Sequence, residues 1–288
     1  MKLAETHIVP EGINDIRLSD YARNIFETIP SRKGMKKAID KGLVKVNEEP
    51  ASTATFVKTG DQIALFLPDD YKKAYELPVP VIYEDDYIAV VNKPSGLLTN
   101  GNAFKTLENT LPFNLQSSNE TDALFWPQVA HRLDFPTSGL VVVAKTRAAK
   151  VKLTEMFEAR EMRKTYHAIT IGTMPQQKGI IEAPVDDKPA TSHFEVVRFV
   201  ASKKYECFNL VQLKPITGRR HQLRKHLAGI GFPILGDRDY GTSLHWDMKR
   251  GLYLAATAIE FVHPMTNDKL SLSIDLPKKF VKLVPASL

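Results

Sequence analysis

At 288 residues, 43% of them hydrophobic, the chain can bury a sizeable core and is too long for one minimal domain, so one large and at least one small domain are expected. Its 39 basic and 33 acidic residues leave a net charge of +6, a mild bias that suits a phosphate-bearing partner without requiring one. A single cysteine, Cys207, excludes an internal disulfide and a cysteine-built zinc site, and no apolar run reaches the roughly 20 residues needed to span a bilayer, so a cytoplasmic protein with no membrane partner is expected.

The small domain is expected over residues 14–70. From Arg17 the apolar positions Leu18, Ala22, Ile25, Phe26 and Ile29 recur at helical spacing as far as Pro30, with Ser19 as the cap. A second helix follows, with Ser31 as its cap, Met35, Ala38, Ile39 and Leu43 as its apolar face, and Gly42 at its C-terminal cap. Between Ser31 and Val46 lie six basic residues, Arg32, Lys33, Lys36, Lys37, Lys41 and Lys45, against one acid, Asp40. Lys33, Lys37 and Lys41 share one helical stripe. Short strands follow at "LVKVN" and "GDQIALFL". Together, "RLSDYARNIFETIPSRKGMKKAIDKGLVKVNEE" and "VKTGDQIAL" resemble an S4 RNA-binding domain. The resemblance implies a small α/β fold in which Arg32, Lys33, Lys37 and Lys41 contact RNA.

A linker is expected at 71–80, inside the Pro-interrupted "PDDYKKAYELPVP", and a large domain over 81–288. That domain opens with a strand from Tyr87 to Asn92. Residues 101–127 read as irregular. Further strands are expected at Gly139–Ala144, Tyr166–Ile171, Ser192–Phe199 and Tyr205–Leu213, with helices near Arg147–Arg160 and Arg219–Ala228. Strands outnumber helices and do not alternate with them, so an α+β domain around a mainly antiparallel sheet is favoured.

In "HRLDFPTSGLVVVAKT", residues 131–146, a Pro-Thr-Ser-Gly turn runs into "LVVVA", a continuous apolar stretch expected to be buried on both faces. Asp134 therefore stands in a loop at the edge of the sheet core, where a rigid scaffold commonly holds reactive groups. Further on, "TGRRHQLRKHLAG" places Arg220 beside Arg224, and Leu223 beside Leu227, one helical turn apart. His221 and His226 are five apart and face different directions, which argues against a metal site.

The three segments "HRLDFPTSG", "KTYHAI" and "GRRHQLRKHLA", with "VVNKPSGLL" before them and "LYLAATAIEFVHPMT" after, resemble the RluA-type pseudouridine synthase family over about Val81 to Pro277. That resemblance implies the pseudouridine synthase fold with a mainly antiparallel mixed sheet, and an isomerase needing neither metal nor organic cofactor. It implies Asp134 as the catalytic aspartate, Tyr166 as the tyrosine that stacks on the target uracil, and Arg224 as the arginine paired to the aspartate. Arg132 matches the position that helps expel the target nucleotide. His131, Lys164, Arg219, Arg220 and Lys225 are taken as further RNA contacts.

Pseudouridine formation breaks the N1–C1′ bond of a uridine, turns the base and rejoins it through C5. A glycoside hydrolase uses two carboxylates; the isomerase is implied to use one. RNA is thus the expected partner of a monomeric enzyme, with large-subunit ribosomal RNA favoured over tRNA. Two rivals differ in kind: a non-catalytic RNA-binding protein, and a hydrolytic nucleosidase that releases free uracil.

Overall fold

The computed structural model describes residues 1–26, 28, 29, 31–68, 73–243 and 251–285 and divides the chain into two units, Met1–Lys73 and Ala74–Leu288. In the first, strand β1 (Lys2–Ile8) precedes β2 (Ile16–Arg17), helix α1 (Leu18–Tyr21), helix α2 (Arg32–Asp40), β3 (Val44–Val46), β4 (Glu49–Pro50), β5 (Phe56–Val57) and β6 (Gln62–Leu67). Four of these strands pair in the order β1-β6-β3-β4, and β2 pairs with β5.

Helix α2 forms where its sequence predicts. Ser31 Oγ accepts a hydrogen bond from Gly34 N at 3.0 Å, Met35, Ala38 and Ile39 are buried, and Gly42 takes φ 67° just past the end. Arg32, Lys33, Lys37 and Lys41 are all exposed. The first helix departs from expectation: it stops at Tyr21, its cap position is Arg17 rather than Ser19, and Asn24 enters the left-handed region at φ 62°. Ala22, Phe26 and Ile29 are buried all the same, supplied to the core by turns. Strand β1 lies N-terminal to the expected domain start at residue 14. A register shift between Leu3 and Glu5 breaks its alternation, so periodicity does not reveal it.

The second unit runs β7 (Val81–Glu84), β8 (Ile88–Lys93), α3 (Leu107–Asn114), β9 (Ala123–Val129), β10 (Ser138–Thr146), α4 (Arg147–Glu158), β11 (Arg163–Ile171), β12 (Lys178–Glu182), β13 (Thr191–Ser202), β14 (Glu206–Pro215), α5 (Gln222–Gly229), β15 (Leu254–Val262), β16 (Lys269–Ser273) and α6 (Lys278–Val281). Helix α3 and strand β9 occupy the segment read as irregular. Part of the expected linker also belongs here: the Asn114 side chain donates to Leu77 O and accepts from Val79 N, which ties residues 77–79 to α3. Residues 69–72 lie outside the described ones.

A ten-stranded sheet carries the unit, in the order β12-β13-β14-β11-β15-β10-β8-β7, with β16 on β15 and β9 on β10. Its one parallel pair is β10 with β15, through Ser138 and Gly139. The "LVVVA" segment is buried on both faces, as its unbroken apolar run requires. Val141 and Val143 pack with Leu107 and Leu111 of α3 on one side; Leu140, Val142 and Ala144 pack with Ala149 and Leu153 of α4 on the other. Gly139 sits where β10 meets β15 most closely. At φ 121°, a Cβ there would stand 2.1 Å from Ala256 O, so Gly139→Ala is expected to cost more than about 3 kcal/mol of stability. A urea titration of that variant checks it; wild-type stability would show that the two strands need not approach so closely.

Candidate active site

The Asp134 loop is positioned by the turn after β8. Gly96 N donates to Phe135 O at 2.8 Å, Ser95 Oγ to Pro136 O at 2.7 Å, and Thr99 Oγ1 to Leu133 O at 2.8 Å. Leu133 N donates back to Thr99 Oγ1 at 3.1 Å. Thr137 N closes the loop on Asp134 O at 3.0 Å, so Phe135 and Pro136 occupy a tight turn. The conspicuous "NKPSGLLT" segment is thus the strap that holds the "HRLD" loop, at about 1 kcal/mol per hydrogen bond.

Lys93, at the end of β8, is fully buried beneath this strap. Its Nζ donates to Leu97 O at 2.7 Å and Pro94 O at 3.1 Å, and approaches Phe135 O at 3.4 Å. Burial pushes its pKa down to about 8, while the charge of Asp134 opposes that shift. Nothing local in the motif shows that this lysine points inward, so the residue is not apparent from the sequence. An unfolded lysine titrates near 10.5, so between about pH 8 and 10.5 the unfolded chain binds more protons at this position than the native one. Stability gains a contribution from Lys93 as pH rises through that window. Urea titrations of wild type and Lys93→Met at pH 7.5 and 10 are expected to show this rise in wild type alone; parallel pH dependences would contradict it.

Asp134 lies on the wall of a cleft of about 940 Å³ built wholly within the second unit. Facing it are His221, whose Nε2 is 3.7 Å from Oδ1, and Arg224, whose Nη1 is 4.0 Å from Oδ2. Neither distance is a hydrogen bond. Among the described residues that line this cleft, Asp134 is the single carboxylate.

The expected pairing of Arg224 with Asp134 is therefore a secondary one. Helix α5 presents Arg224 first to Asp237: Nε donates to Oδ2 at 2.8 Å and Nη2 to Oδ1 at 2.7 Å, while Nη2 also reaches Asp239 Oδ2 at 2.7 Å. Burial disfavours the guanidinium charge, but the hydrogen bonds and charge of Asp237 and Asp239 outweigh it and hold the arginine's pKa above its ordinary value. Asp237 is buried and also accepts from the backbone N–H groups of Asp239 and Tyr240. Gly236 lets this corner close: a Cβ on it would lie 2.0 Å from Gly251 O. "GDRDYG" carried that signal in the sequence, though neither acid was singled out. Helix α5 also begins later than expected, at Gln222, because His221 adopts φ 55°. Arg220 therefore lies outside the helix.

Tyr166 on β11 pairs with Leu213 and with Ala256, beside a register shift at Thr165, and its half-buried ring lines the cleft. Burial, reinforced by the charge of Asp134, raises its pKa, so the phenol keeps its proton at neutral pH. Arg132, Lys164, Arg219 and Arg220 line the same cleft, joined by Arg160, which sequence reading did not name. Two expected RNA contacts are otherwise engaged. His131 accepts from Val142 N at 3.0 Å through Nε2, and its ring lies 4.6 Å from that of Phe157; burial pushes its pKa down to about 3, so it is a neutral strut beneath the loop. Lys225 Nζ is paired with Asp186 at 2.5 Å. Arg32, in the first unit, bonds to Asp20, while Lys33, Lys37 and Lys41 remain exposed. Of the two histidines weighed for a metal, His226 is tied to Ser192 and Ala183, away from His221.

The cleft thus brings one carboxylate, one protonated phenol ring and a rim of cations to one place. Residues 87–229 match the RNA pseudouridylate synthase family. The ribosomal large subunit pseudouridine synthase D of Pasteurella multocida is 31% identical over 290 residues, covering 89% of this chain and 86% of that protein. The dual-specificity RNA pseudouridine synthase RluA of Escherichia coli K12 is 34% identical over 70% of this chain and 95% of its own. The solved structure of human RNA pseudouridylate synthase domain containing 4 aligns with a TM-score of 0.55 at 26% identity, covering 70% of this chain and 90% of that one. With the mixed, mainly antiparallel sheet and the matched motifs, these likenesses establish that the chain belongs to the RluA-type family of RNA pseudouridine synthases, which are isomerases.

Proposed function

We propose that the chain converts a specific uridine of large-subunit ribosomal RNA to pseudouridine, with Asp134 as the catalytic carboxylate. The observation that carries this is that Asp134 is the single carboxylate among the described residues lining the cleft: hydrolysis of a glycosidic bond ordinarily uses a second to activate water, whereas rejoining the same base needs none. The target base must leave its stack to reach Asp134, at a cost of a few kcal/mol. Stacking on Tyr166 recovers roughly 1–3 kcal/mol of it. Arg132, Lys164, Arg219 and Arg220 are placed to hold the phosphates around the flipped nucleotide. Arg224, fixed by Asp237, supplies the positive field that favours ionised Asp134 over its neutral form. The same reading takes the enzyme to act as a cytoplasmic monomer.

Ribosomal RNA is favoured because the Pasteurella relative, named for the large ribosomal subunit, matches 89% of this chain, more than the second unit alone supplies. The dual-specificity relative matches 70%; tRNA remains the second reading because "HRLDFPTSG" and "GRRHQLRKHLA" look closer to the branch of the family acting on tRNA. We infer further that the first unit is an S4-like module over about residues 14–70 whose exposed Lys33, Lys37 and Lys41 add phosphate contacts. Converting these three to Gln is expected to weaken binding of a large-subunit RNA fragment and to reduce the slope of log affinity against log salt by about 2–3. An unchanged slope contradicts the RNA role of the module, and equal loss on tRNA removes its bearing on substrate choice.

A further inference from the structure

His221 holds a left-handed backbone at φ 55°, a conformation that costs a non-glycine residue on the order of 1–3 kcal/mol and persists where surrounding contacts over-determine it. Those contacts are specific. Nδ1 lies 2.8 Å from Tyr240 Oη, and the Tyr240 ring is in turn capped by the Arg224 guanidinium at 5.0 Å. The effect is to aim Nε2 into the cleft at the one carboxylate, 3.7 Å away. That gap is too long for a hydrogen bond, yet an atom lodged between the two groups is within reach of both.

Isomerisation also needs a base for a step on the uracil ring, distinct from the work of Asp134 at the sugar. Once uracil C5 has bonded to C1′, C5 bears both the new carbon and its original hydrogen. That hydrogen must leave as a proton, its electron pair closing the C5–C6 double bond, while N1, freed from C1′, gains a proton. One proton leaves carbon and one arrives at nitrogen, so no co-reactant is needed. We propose that His221 Nε2 is the base that removes the proton from C5 of the rejoined uracil, and the source of the proton returned to the ring. The assignment rests on the isomerase function of the site.

Other groups in the cleft are poorly suited. His131 has spent Nε2 on Val142, and Tyr166 keeps its proton. In the tautomer with hydrogen on Nδ1, facing Tyr240, the lone pair of His221 is on Nε2. The charged groups around the ring include Asp134, Asp186, Arg220, Arg224 and Asp239; burial lowers its pKa, Asp134 and Asp239 oppose this, and the two arginines reinforce it. The neutral, proton-accepting form is accordingly present at pH 7.

The test is single-turnover kinetics on RNA carrying either uridine or 5-deuterouridine at the target, with wild type and His221→Asn. Asparagine tolerates the left-handed backbone, and His221→Gln provides a second variant should that one fail to fold. Loss of a general base is expected to slow product formation by about 10²- to 10⁴-fold, to leave RNA affinity intact, and to expose a primary deuterium isotope effect absent from wild type. Added imidazole is expected to restore part of the rate. A slowed variant without an isotope effect, or a variant at wild-type rate, overturns the assignment. Failure of the wild type itself to make pseudouridine overturns instead the isomerase function on which the proposal rests.

Discussion

Replacing Arg224 with methionine is expected to lower the free energy of unfolding by about 3–5 kcal/mol and to abolish turnover as well. The family resemblance alone predicts only the second effect, since it implies a pairing of Arg224 with Asp134. In the fold, that pairing is the weaker of two, at 4.0 Å, while Asp237, buried to 1% exposure, receives two direct hydrogen bonds from the guanidinium. Removing the cation leaves a buried carboxylate that has lost both side-chain hydrogen bonds and keeps those from Asp239 N and Tyr240 N. Arg224→Lys restores charge without the bidentate geometry and is expected to recover part of the stability but little of the activity. Double substitution of Arg224→Met with Asp237→Leu separates the two contributions: stability should return toward wild type while activity stays lost. Thermal melts and single-turnover assays on the three variants check this, and an active double variant would show that Arg224 serves Asp237 alone.

Asp134→Asn is expected to behave oppositely, losing activity by on the order of 10⁴-fold or more while remaining folded and bound to RNA. The side chain is a quarter exposed and neither His221 nor Arg224 forms a hydrogen bond with it, so its removal breaks no hydrogen bond to either of these neighbours. The loop geometry is fixed instead by backbone groups of Leu133, Phe135 and Pro136. A variant that unfolds would mean the carboxylate is structural; a variant that still makes pseudouridine would move the chemistry elsewhere.

What could be read from the sequence was local or strongly periodic. The cap of α2 and the double-sided burial of "LVVVA" depend on residues adjacent along the chain, and both appear in the fold as their patterns dictate. The early stop of α1, the bulged strand β1 and the helix α3 containing Pro112 each break the period on which such reading relies. At the site, Asp134, Tyr166, Arg224 and the rim cations were legible because they sit in dense motifs and converge on one cleft. Asp237 and Lys93 were not: the partner of Asp237 is Arg224, 13 residues away, and nothing along the chain shows that Lys93 turns inward onto Pro94 O and Leu97 O. His131, three residues before Asp134, lines the same cleft and also accepts from Val142 N on its ring nitrogen, a partner no local pattern reveals.

The most direct measurement is nucleotide-resolution mapping of pseudouridine after incubating wild type or Asp134→Asn with unmodified large-subunit ribosomal RNA and a tRNA pool, with free uracil assayed alongside. New pseudouridine at a discrete ribosomal position, made by wild type only and without uracil release, is the predicted result. Free uracil in place of pseudouridine would contradict isomerisation at this single-carboxylate cleft.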